Sequence, residues 1–120
     1  MKISDELRIA ITRVNQEAIQ KRHEYLTLEH LLLALLHDPE TASIIEACNG
    51  SLNVLETELQ NYLNTEAALL PPAINKEPEQ TDSFNHVFQR AAHHVINSAQ
   101  EELKGQDLLV ELMREEESYA

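Results

Sequence analysis

Apolar residues recur along the first 22 positions at the spacing of one face of an α-helix, where positions three and four apart lie on the same side. The members of this stripe are Ile3, Leu7, Ala10, Ile11, Val14 and Ala18. Because Ser4 can accept hydrogen bonds from the free backbone N–H groups of a helix start, the pattern predicts a first helix from Ser4 to about Arg22. Thr27 is a second capping residue, and it predicts a second helix from Leu28 to about His37.

The same pattern returns 77 positions later. Residues 7–36 align with residues 84–113 without a gap, and the apolar positions of the two stretches coincide. Seven of the thirty positions are identical: Arg13/Arg90, Ile19/Ile96, Glu24/Glu101, Leu26/Leu103, Leu31/Leu108, Leu32/Leu109 and Leu35/Leu112. A repeat of this length predicts two helical units that cover each other's apolar faces by a near-twofold rotation. Such pairs commonly serve as docking platforms, so the repeat indicates a binding surface rather than an active-site cleft.

Two further helices are predicted between the repeated stretches. An Asp-Pro pair at Asp38 is typical of a helix start, and Gly50 is typical of the stop that follows. Ser51 then predicts the cap of a fourth helix. The residues expected to face inward from this helix are Leu52, Leu55, Leu59, Tyr62 and Leu63. The first repeat therefore covers about residues 3–64.

The stretch 65–82 contains three prolines and no sustained period, so it is predicted to be a linker between the repeats. Leu69, Leu70 and Ile74 are the side chains expected to pin this linker to the body of the domain. A linker longer than the usual connection between helices is expected to lie across the surface.

The second repeat, residues 83–120, is shorter than the first. Asp82 or Ser83 is expected to cap a fifth helix that ends near Gln100, and a sixth helix is expected over about 105–116. Counterparts of the third and fourth helices are lacking from this repeat. The chain is thus predicted to be one all-α domain, 1–120, built as a pseudo-twofold bundle of about six helices without a β-sheet.

The composition agrees with a single helical domain. The chain has 120 residues, two glycines and no tryptophan, which suffices for one modest core. No apolar run reaches the roughly 18–20 residues of a membrane span, and no signal peptide is recognisable at the N-terminus. The single cysteine, Cys48, excludes an internal disulfide and fits a reducing compartment. A cytoplasmic location and a monomeric isolated domain are therefore expected.

The net charge of −12 is distributed unevenly. Residues 23–64 contain seven acidic residues and no lysine or arginine. A phosphate backbone would be repelled by most of this surface, so nucleic acid is not expected as a partner. A protein with a basic patch is a better match. The alternative is that the acidity only keeps the domain soluble.

No residue cluster has the spacing of a catalytic or cofactor site. His23-Glu24 begins like a zinc-protease H-E-x-x-H helix, but the fifth position is Thr27 and the stretch crosses a helix boundary. His30 is expected to hydrogen-bond a nearby backbone group. Cys48 is expected to be a small buried residue rather than a nucleophile, because the end of a helix disfavours a thiolate. We therefore expect no enzyme activity, metal or cofactor.

Three stretches resemble the N-terminal domain of the Clp/Hsp100 ATPases: HEYLTLEHLLLALLHDPE (23–40), EAC (46–48) and SFNHVFQRA (83–91). The pattern T-x-E-H-x-L-x-A-L-L, from Thr27 to Leu36, is the most specific of them, and it fits the ClpA type more closely than ClpC, ClpB or ClpE. The resemblance covers essentially the whole chain. No G-x-x-x-x-G-K-[ST] loop occurs, so the ATPase modules are outside this chain.

The resemblance implies a domain that receives proteins for a hexameric unfoldase that feeds the ClpP peptidase. In the ClpA type such domains bind the adaptor ClpS, which brings N-degron substrates, and they bind some unfolded substrates themselves. The positions of the family's adaptor-binding surface fall on Glu24, Glu29, Thr81 and His86. His86 stands where ClpA members carry arginine, and an imidazole is a weaker partner for a carboxylate than a bidentate guanidinium.

Other interpretations remain open from the sequence. The chain could be a stand-alone helical regulator of a Clp machine, which a complete gene product ending at Ala120 would favour. It could be the N-terminal domain of a ClpC- or ClpB-type chaperone. It could also be an enzyme that uses Cys48 or the histidines, which loss of an activity in Cys48→Ala would support.

Overall fold

The computed structural model describes residues 2–48 and 50–114. Within them the chain forms six α-helices and four two-residue strands. In chain order these are β1 (Lys2–Ile3), α1 (Asp5–Gln20), β2 (Tyr25–Leu26), α2 (Leu28–Leu36), α3 (Pro39–Ala47), α4 (Leu52–Glu66), β3 (Glu79–Gln80), α5 (Asp82–Asn97), β4 (Glu102–Leu103) and α6 (Gly105–Met113). The all-α class and the six helices are confirmed.

The offset of 77 residues found in the sequence is also the offset of the structure. α5 begins and ends 77 positions after α1, and α6 begins and ends 77 positions after α2. β3 and β4 stand in the same relation to β1 and β2. The hydrophobic pattern therefore located the four repeated helices and the relation between them.

The two short sheets were not expected. β1 pairs in parallel with β4, and β3 pairs in parallel with β2. Each repeat thus pairs its first strand with the second strand of the other repeat, which is the arrangement that a twofold relation requires. The prediction of a fold without β-sheet is wrong on this point, because a two-residue strand is too short to show the alternation that marks strands in a sequence.

The core is formed between the two repeats, around α2. Its fully buried members include Leu7, Leu31, Leu33, Leu35, Leu59, Val87, Val95, Leu103 and Leu108. All nine described residues of α2 are buried, so this helix is the centre of the domain. α1, α3, α4 and α6 all pack against α2. The inward positions predicted for α4 are confirmed at Leu59 and Leu63, which are buried.

The helix caps follow the prediction with one correction. Ser4 accepts a hydrogen bond from the Leu7 N–H, as expected for the start of α1. The cap of α5 is Thr81, whose hydroxyl accepts from the Phe84 N–H at 3.2 Å, and not Asp82 or Ser83. Three residues that can cap a helix, Thr81, Asp82 and Ser83, follow one another here, and the pairing of β3 with β2 determines which of them is the cap. The Thr81 N–H donates to Leu26 O, so Thr81 is still extended and the helix begins one residue later.

The linker is held by its backbone more than by its side chains. Leu70 is buried, but Leu69 and Ile74 are 60% and 44% exposed, so the prediction that all three side chains pin the linker is wrong for these two. Instead the Leu70 N–H donates to Arg22 O. The Arg22 guanidinium also donates to two carbonyl oxygens of the linker, those of Pro71 and Ile74. Backbone contacts of this kind leave no apolar signature in the sequence.

The starts of α3 and α6 pack closely. The buried Thr41 hydroxyl donates to the Asp38 carboxylate at 2.6 Å. Gly105, the first residue of α6, lies against this pair so closely that a Cβ there would overlap both side-chain oxygens. Gly105 is therefore required by close packing.

One buried charge distinguishes the second repeat from the first. Glu111 is 2% exposed and lies at the position that Ala34 occupies in the first repeat. Its carboxylate contacts Arg90 at 3.2 Å, His94 at 3.0 Å and Arg114 at 3.5 Å. These contacts join α5 to α6.

Two further expectations concern the ends of elements. Cys48 is exposed, so the prediction of a buried cysteine is wrong; it follows the last residue of α3, where the chain turns at the surface. The sixth helix was expected to reach Glu116. Glu116 lies outside the described residues, and α6 is described as far as Met113.

Candidate functional site

The starts of α2 and α5 lie next to each other because the strands that precede them are paired. Tyr25 is opposite Glu79 in this parallel pair. The Glu79 N–H donates to Glu24 O at 3.0 Å, and the Thr81 N–H donates to Leu26 O at 3.1 Å. The fold therefore sets the segment 24–26 beside the segment 79–81, more than fifty residues away in the sequence. We call the surface around these two segments, which include Glu24 and Thr81, the α2–α5 junction.

Glu29 occupies a different environment from the one assumed for it. It lies in the first turn of α2 and is 7% exposed. It lines a pocket together with Tyr25, Tyr62 and Glu66. A carboxylate in this position is favoured by the helix dipole. A partner would reach Glu29 through this pocket and not across an open surface.

His86 lies one turn into α5 and is exposed. The stretch 83–100 around it contains one arginine, three histidines and no acidic residue. The α2–α5 junction thus joins an acidic segment on one side to a helix, α5, whose one acidic residue is Asp82 in its first turn.

A pair of buried histidines supports the start of α2. The Thr27 N–H donates to Nδ1 of His30 at 3.0 Å, which confirms that His30 bonds a nearby backbone group. Because Nδ1 accepts this bond, the ring proton of neutral His30 is on Nε2. Nε2 lies 2.9 Å from Nδ1 of His23 and donates to it. His23 consequently carries its own proton on Nε2.

Both histidines are disfavoured as cations. Burial, together with the smaller effects of His23 and Lys21, lowers the pKa of His30 to about 4. Burial and then Lys21 lower the pKa of His23 as well. The pair is therefore neutral near pH 7, which the hydrogen bonds described above require.

An apolar groove lies between α1 and α5. It has a volume of about 380 Å³. Its apolar lining is Ile3, Ile11, Phe84 and Phe88, and its polar lining is Arg8, Thr12 and Gln80. The rings of Phe84 and Phe88 stack with centroids 5.2 Å apart. The sequence places Ile3 and Ile11 in the apolar stripe of the first helix. Ile11 and Phe88, at equivalent positions of the two repeats, are both only partly buried.

Neither a metal site nor a membrane span is found in the part of the chain that the structure describes. No group of three or more His, Cys, Asp or Glu side chains is placed to hold an ion there. No helix within residues 2–48 and 50–114 is long and apolar enough to cross a membrane.

Comparison with known proteins agrees with the repeat architecture. The family model described as the Clp repeat (R) N-terminal domain matches residues 2–120. The chain belongs to this family. Two named relatives align with it. The "ClpA homolog protein" of Fuscovulum blasticum is 37% identical over 118 residues, and the chaperone protein ClpB of Prochlorococcus marinus is 27% identical over 100 residues.

The chain corresponds to a small part of these relatives. The alignment covers 98% of the chain but 15% of the ClpA homolog, and 72% of the chain but 12% of the ClpB protein. The chain is thus a Clp N-terminal domain of the Clp/Hsp100 family and not the ATPase module.

The Clp repeat fold is also found in a solved structure. The N-terminal domain of Hsp104 from Candida albicans superposes with a TM-score of 0.80, over 94% of this chain and 74% of that one. The two sequences are 13% identical, so the likeness concerns the fold alone.

Proposed function

We propose that this Clp repeat domain is a docking site for an adaptor of the ClpS type, in a ClpA-like unfoldase that feeds the ClpP peptidase. The observation that supports the proposal is the parallel pairing of β2 with β3, which sets the chain segment of Glu24 beside the segment that leads to Thr81. Two segments that are distant in sequence thus lie side by side, and His86 is exposed on the helix that Thr81 caps. In this proposal the parent is a cytoplasmic hexamer and the isolated domain is a monomer.

The chemistry of the junction favours a partner with basic side chains. Glu24 and Glu79 come from adjacent chain segments, and Glu29 and Glu66 line the pocket beside them. The same pocket contains Tyr25 and Tyr62, and aromatic faces attract cations. An adaptor lysine or arginine would find carboxylates and aromatic rings together. Acidic surfaces of this kind accelerate encounter with a basic partner and lose influence as salt rises.

The groove between α1 and α5 is the candidate site for substrates. Its floor is formed by stacked phenylalanines and two isoleucines, and its rim carries Arg8. An extended apolar segment of an unfolded protein would fit this chemistry. We place unfolded substrates here and the adaptor at the α2–α5 junction, so that the two need not compete.

The alternative is a domain of a ClpB-type chaperone. Two ClpB proteins match the chain, at 27% and 25% identity. The ClpA homolog is more similar at 37% and is covered more fully, which favours the ClpA-like assignment. Absence of any binding to a ClpS-type adaptor would favour the ClpB-type alternative or a stand-alone regulator.

The repeat provides a matched experiment. Glu24 and Glu101 are both glutamates and occupy equivalent positions of the two repeats. Glu24 lies at the α2–α5 junction, whereas Glu101 lies just before β4, the strand that pairs with β1. We expect Glu24→Lys to weaken binding of a ClpS-type adaptor about three- to tenfold at low salt, a size typical of charge contacts at an interface. Glu101→Lys, and Glu58→Lys on α4, should change it less than about twofold. Titration calorimetry at two salt concentrations measures this. Equal losses in all three variants would place the adaptor elsewhere.

A further inference from the structure

We propose that the hydrogen-bonded pair of His30 and His23 positions the α2–α5 junction, and that adding a proton to this pair releases the linker end of the junction. The effect on adaptor binding rests on the function proposed above. The effect on the junction itself does not, and it can be measured on the domain alone.

The geometry places the pair at the point where three segments meet. His30 holds the start of α2 through the Thr27 N–H. His23 lies between α1 and β2, in a stretch whose backbone is bonded to the linker on both sides. The Leu70 N–H donates to Arg22 O, and the Glu24 N–H donates to Ala68 O, each at 2.8 Å. The contact between the two rings therefore joins the first turn of α2 to the attachment of the linker.

The hydrogen bonds can form only when both rings are neutral. Nδ1 of each ring accepts, from the Thr27 N–H in one case and from the His30 Nε2–H in the other. A proton taken from water at Nδ1 of His23 turns the acceptor of the ring-to-ring bond into a donor that faces the His30 Nε2–H. A proton at Nδ1 of His30 can be donated to the Thr27 hydroxyl oxygen, 3.0 Å away, but the bond from the Thr27 N–H is then lost. In either case one hydrogen bond is lost and an N–H is left without its acceptor, which is costly. Protonation thus weakens the connection between α2 and the segment that contains Glu24.

The surroundings of the rings offer little to stabilise a cation. The cavity beside His30 is lined by uncharged side chains, among them Ile11, Asn15 and Phe84. Lys21, at the end of α1, acts on both rings and opposes their protonation. The carboxylates nearest in the chain are Glu24 and Glu29, each one residue away from a ring.

The second repeat performs the same capping task without histidine. The Lys104 N–H donates to the Asp107 carboxylate at 2.9 Å, at positions equivalent to Thr27 and His30. The position equivalent to His23 is Gln100. The start of α6, beside the pairing of β4 with β1, therefore has a cap of the same geometry with no ring-to-ring bond. We call it the α6 junction. It is an internal control, and it supplies a designed variant, His23→Gln with His30→Asp, that converts the first junction to the chemistry of the second.

The junction is tested first by NMR. At pH 7.5 long-range ¹H–¹⁵N spectra should show both rings protonated at Nε2. Below about pH 6.5 the open state of the junction should become more populated, so the Leu70 amide should exchange faster once its intrinsic exchange rate is corrected for. The increase should be up to about tenfold per pH unit for each proton taken up. The amides of Ser4 and Lys104, at the other junction, should not follow. Equal pH dependence at both junctions, or a ring protonated at Nδ1, would overturn the proposal.

The variants give the second measurement. The double variant should lose the pH dependence of the Leu70 amide while remaining folded. His23→Gln alone keeps the cap by His30 and removes the ring-to-ring bond, and it should lose most of the dependence. A dependence retained in a folded variant contradicts the proposal.

Adaptor binding is then compared at pH 7.5 and 5.5 by calorimetry. On acidification the natural domain should lose more affinity than the double variant. The loss in the double variant measures the effect of titrating the adaptor, so the difference between the two domains reports the histidine pair. The same loss in both would overturn the positioning role. If no adaptor binds at any pH, the proposed function fails, while the exchange measurement still decides whether the histidine pair controls the junction.

Discussion

Arg22 and Ala99, which lie 77 positions apart, share a left-handed backbone conformation with φ of 58° and 60°. Each follows the end of the first helix of its repeat and turns the chain towards the next strand. The two side chains have different tasks. Arg22 donates hydrogen bonds to Pro71 O and Ile74 O in the linker, whereas Ala99 has no side-chain polar group with which to do so.

Ala99→Gly should therefore stabilise the domain. Glycine adopts a positive φ without the steric cost that a Cβ imposes, although it also increases the entropy of the unfolded chain. We expect a gain of about 0.5–1 kcal/mol in the free energy of unfolding, measured in urea. Arg22→Gly is the matched comparison. It should be destabilising or neutral, because the relief of strain is offset by loss of the linker contacts, and a larger gain than in Ala99→Gly would contradict this account.

Gly105→Ala should destabilise the domain. The added Cβ overlaps the buried pair of Asp38 and Thr41, so α6 must move away from α3 or the pair must lose its hydrogen bond. Overpacking of this kind costs about 1–3 kcal/mol. Gln106→Ala, at the neighbouring exposed position of the same helix, is the control and should stay within about 0.5 kcal/mol of the natural chain.

Leu35→Ala tests the centre of the core. Leu35 is fully buried in α2, and its removal should reduce the free energy of unfolding by about 2–5 kcal/mol. Val54→Ala removes an aliphatic side chain that is half exposed on α4, and alanine favours helix more than valine. That control should change stability by less than about 0.5 kcal/mol. Similar losses in both variants would mean that α2 is not the centre of the domain.

The stability of the domain should fall between about pH 6.5 and pH 4. The folded chain holds His30 with a pKa of about 4 and lowers the pKa of His23, while an unfolded histidine titrates near 6.5. Within this window the unfolded state binds more protons, so acidification favours unfolding by up to about 1.4 kcal/mol per pH unit for each histidine. Urea unfolding at several pH values measures the slope. His86→Gln, at an exposed histidine, should leave it unchanged.

His86→Arg should tighten binding of a ClpS-type adaptor, most clearly above about pH 7. An imidazole is largely neutral there, whereas a guanidinium keeps its charge and can bind a carboxylate with two hydrogen bonds. Calorimetry at pH 6 and pH 8 gives the comparison. The advantage of arginine should be smaller at pH 6, and an advantage that does not change with pH would indicate packing rather than charge.

The sequence predicted the helices well because they have long periodic signals. The stripe from Leu7 to Ala18 and its counterpart from Phe84 to Val95 determine the packing of both repeats. The errors concern features without such a signal. The two-residue strands are defined by backbone pairing, and pairing also decided that Thr81 rather than Asp82 caps α5.

The candidate site was predictable only in part. The resemblance implied that Glu24 and Thr81 belong to one adaptor-binding surface, which stays a prediction, and the structure pairs the segments that contain them. The sequence could not show that Glu29 is buried, because residue type alone would place a carboxylate in water. In the structure this carboxylate lies at the start of α2, where the helix dipole favours it, beside residues of α4. Glu111 presents the same difficulty. Its burial depends on Arg90 and His94 from another helix, which meet it only after folding.

The exchange of strands between the repeats makes each half of the domain depend on the other. A single repeat would leave β1 and β2, or β3 and β4, without partners, since each strand is completed by the other half. The architecture is therefore that of an intertwined dimer contained in one chain, in which neither half completes its own strands. The two halves need not be identical, and the start of the second helix is capped with a histidine pair in one and with a carboxylate in the other.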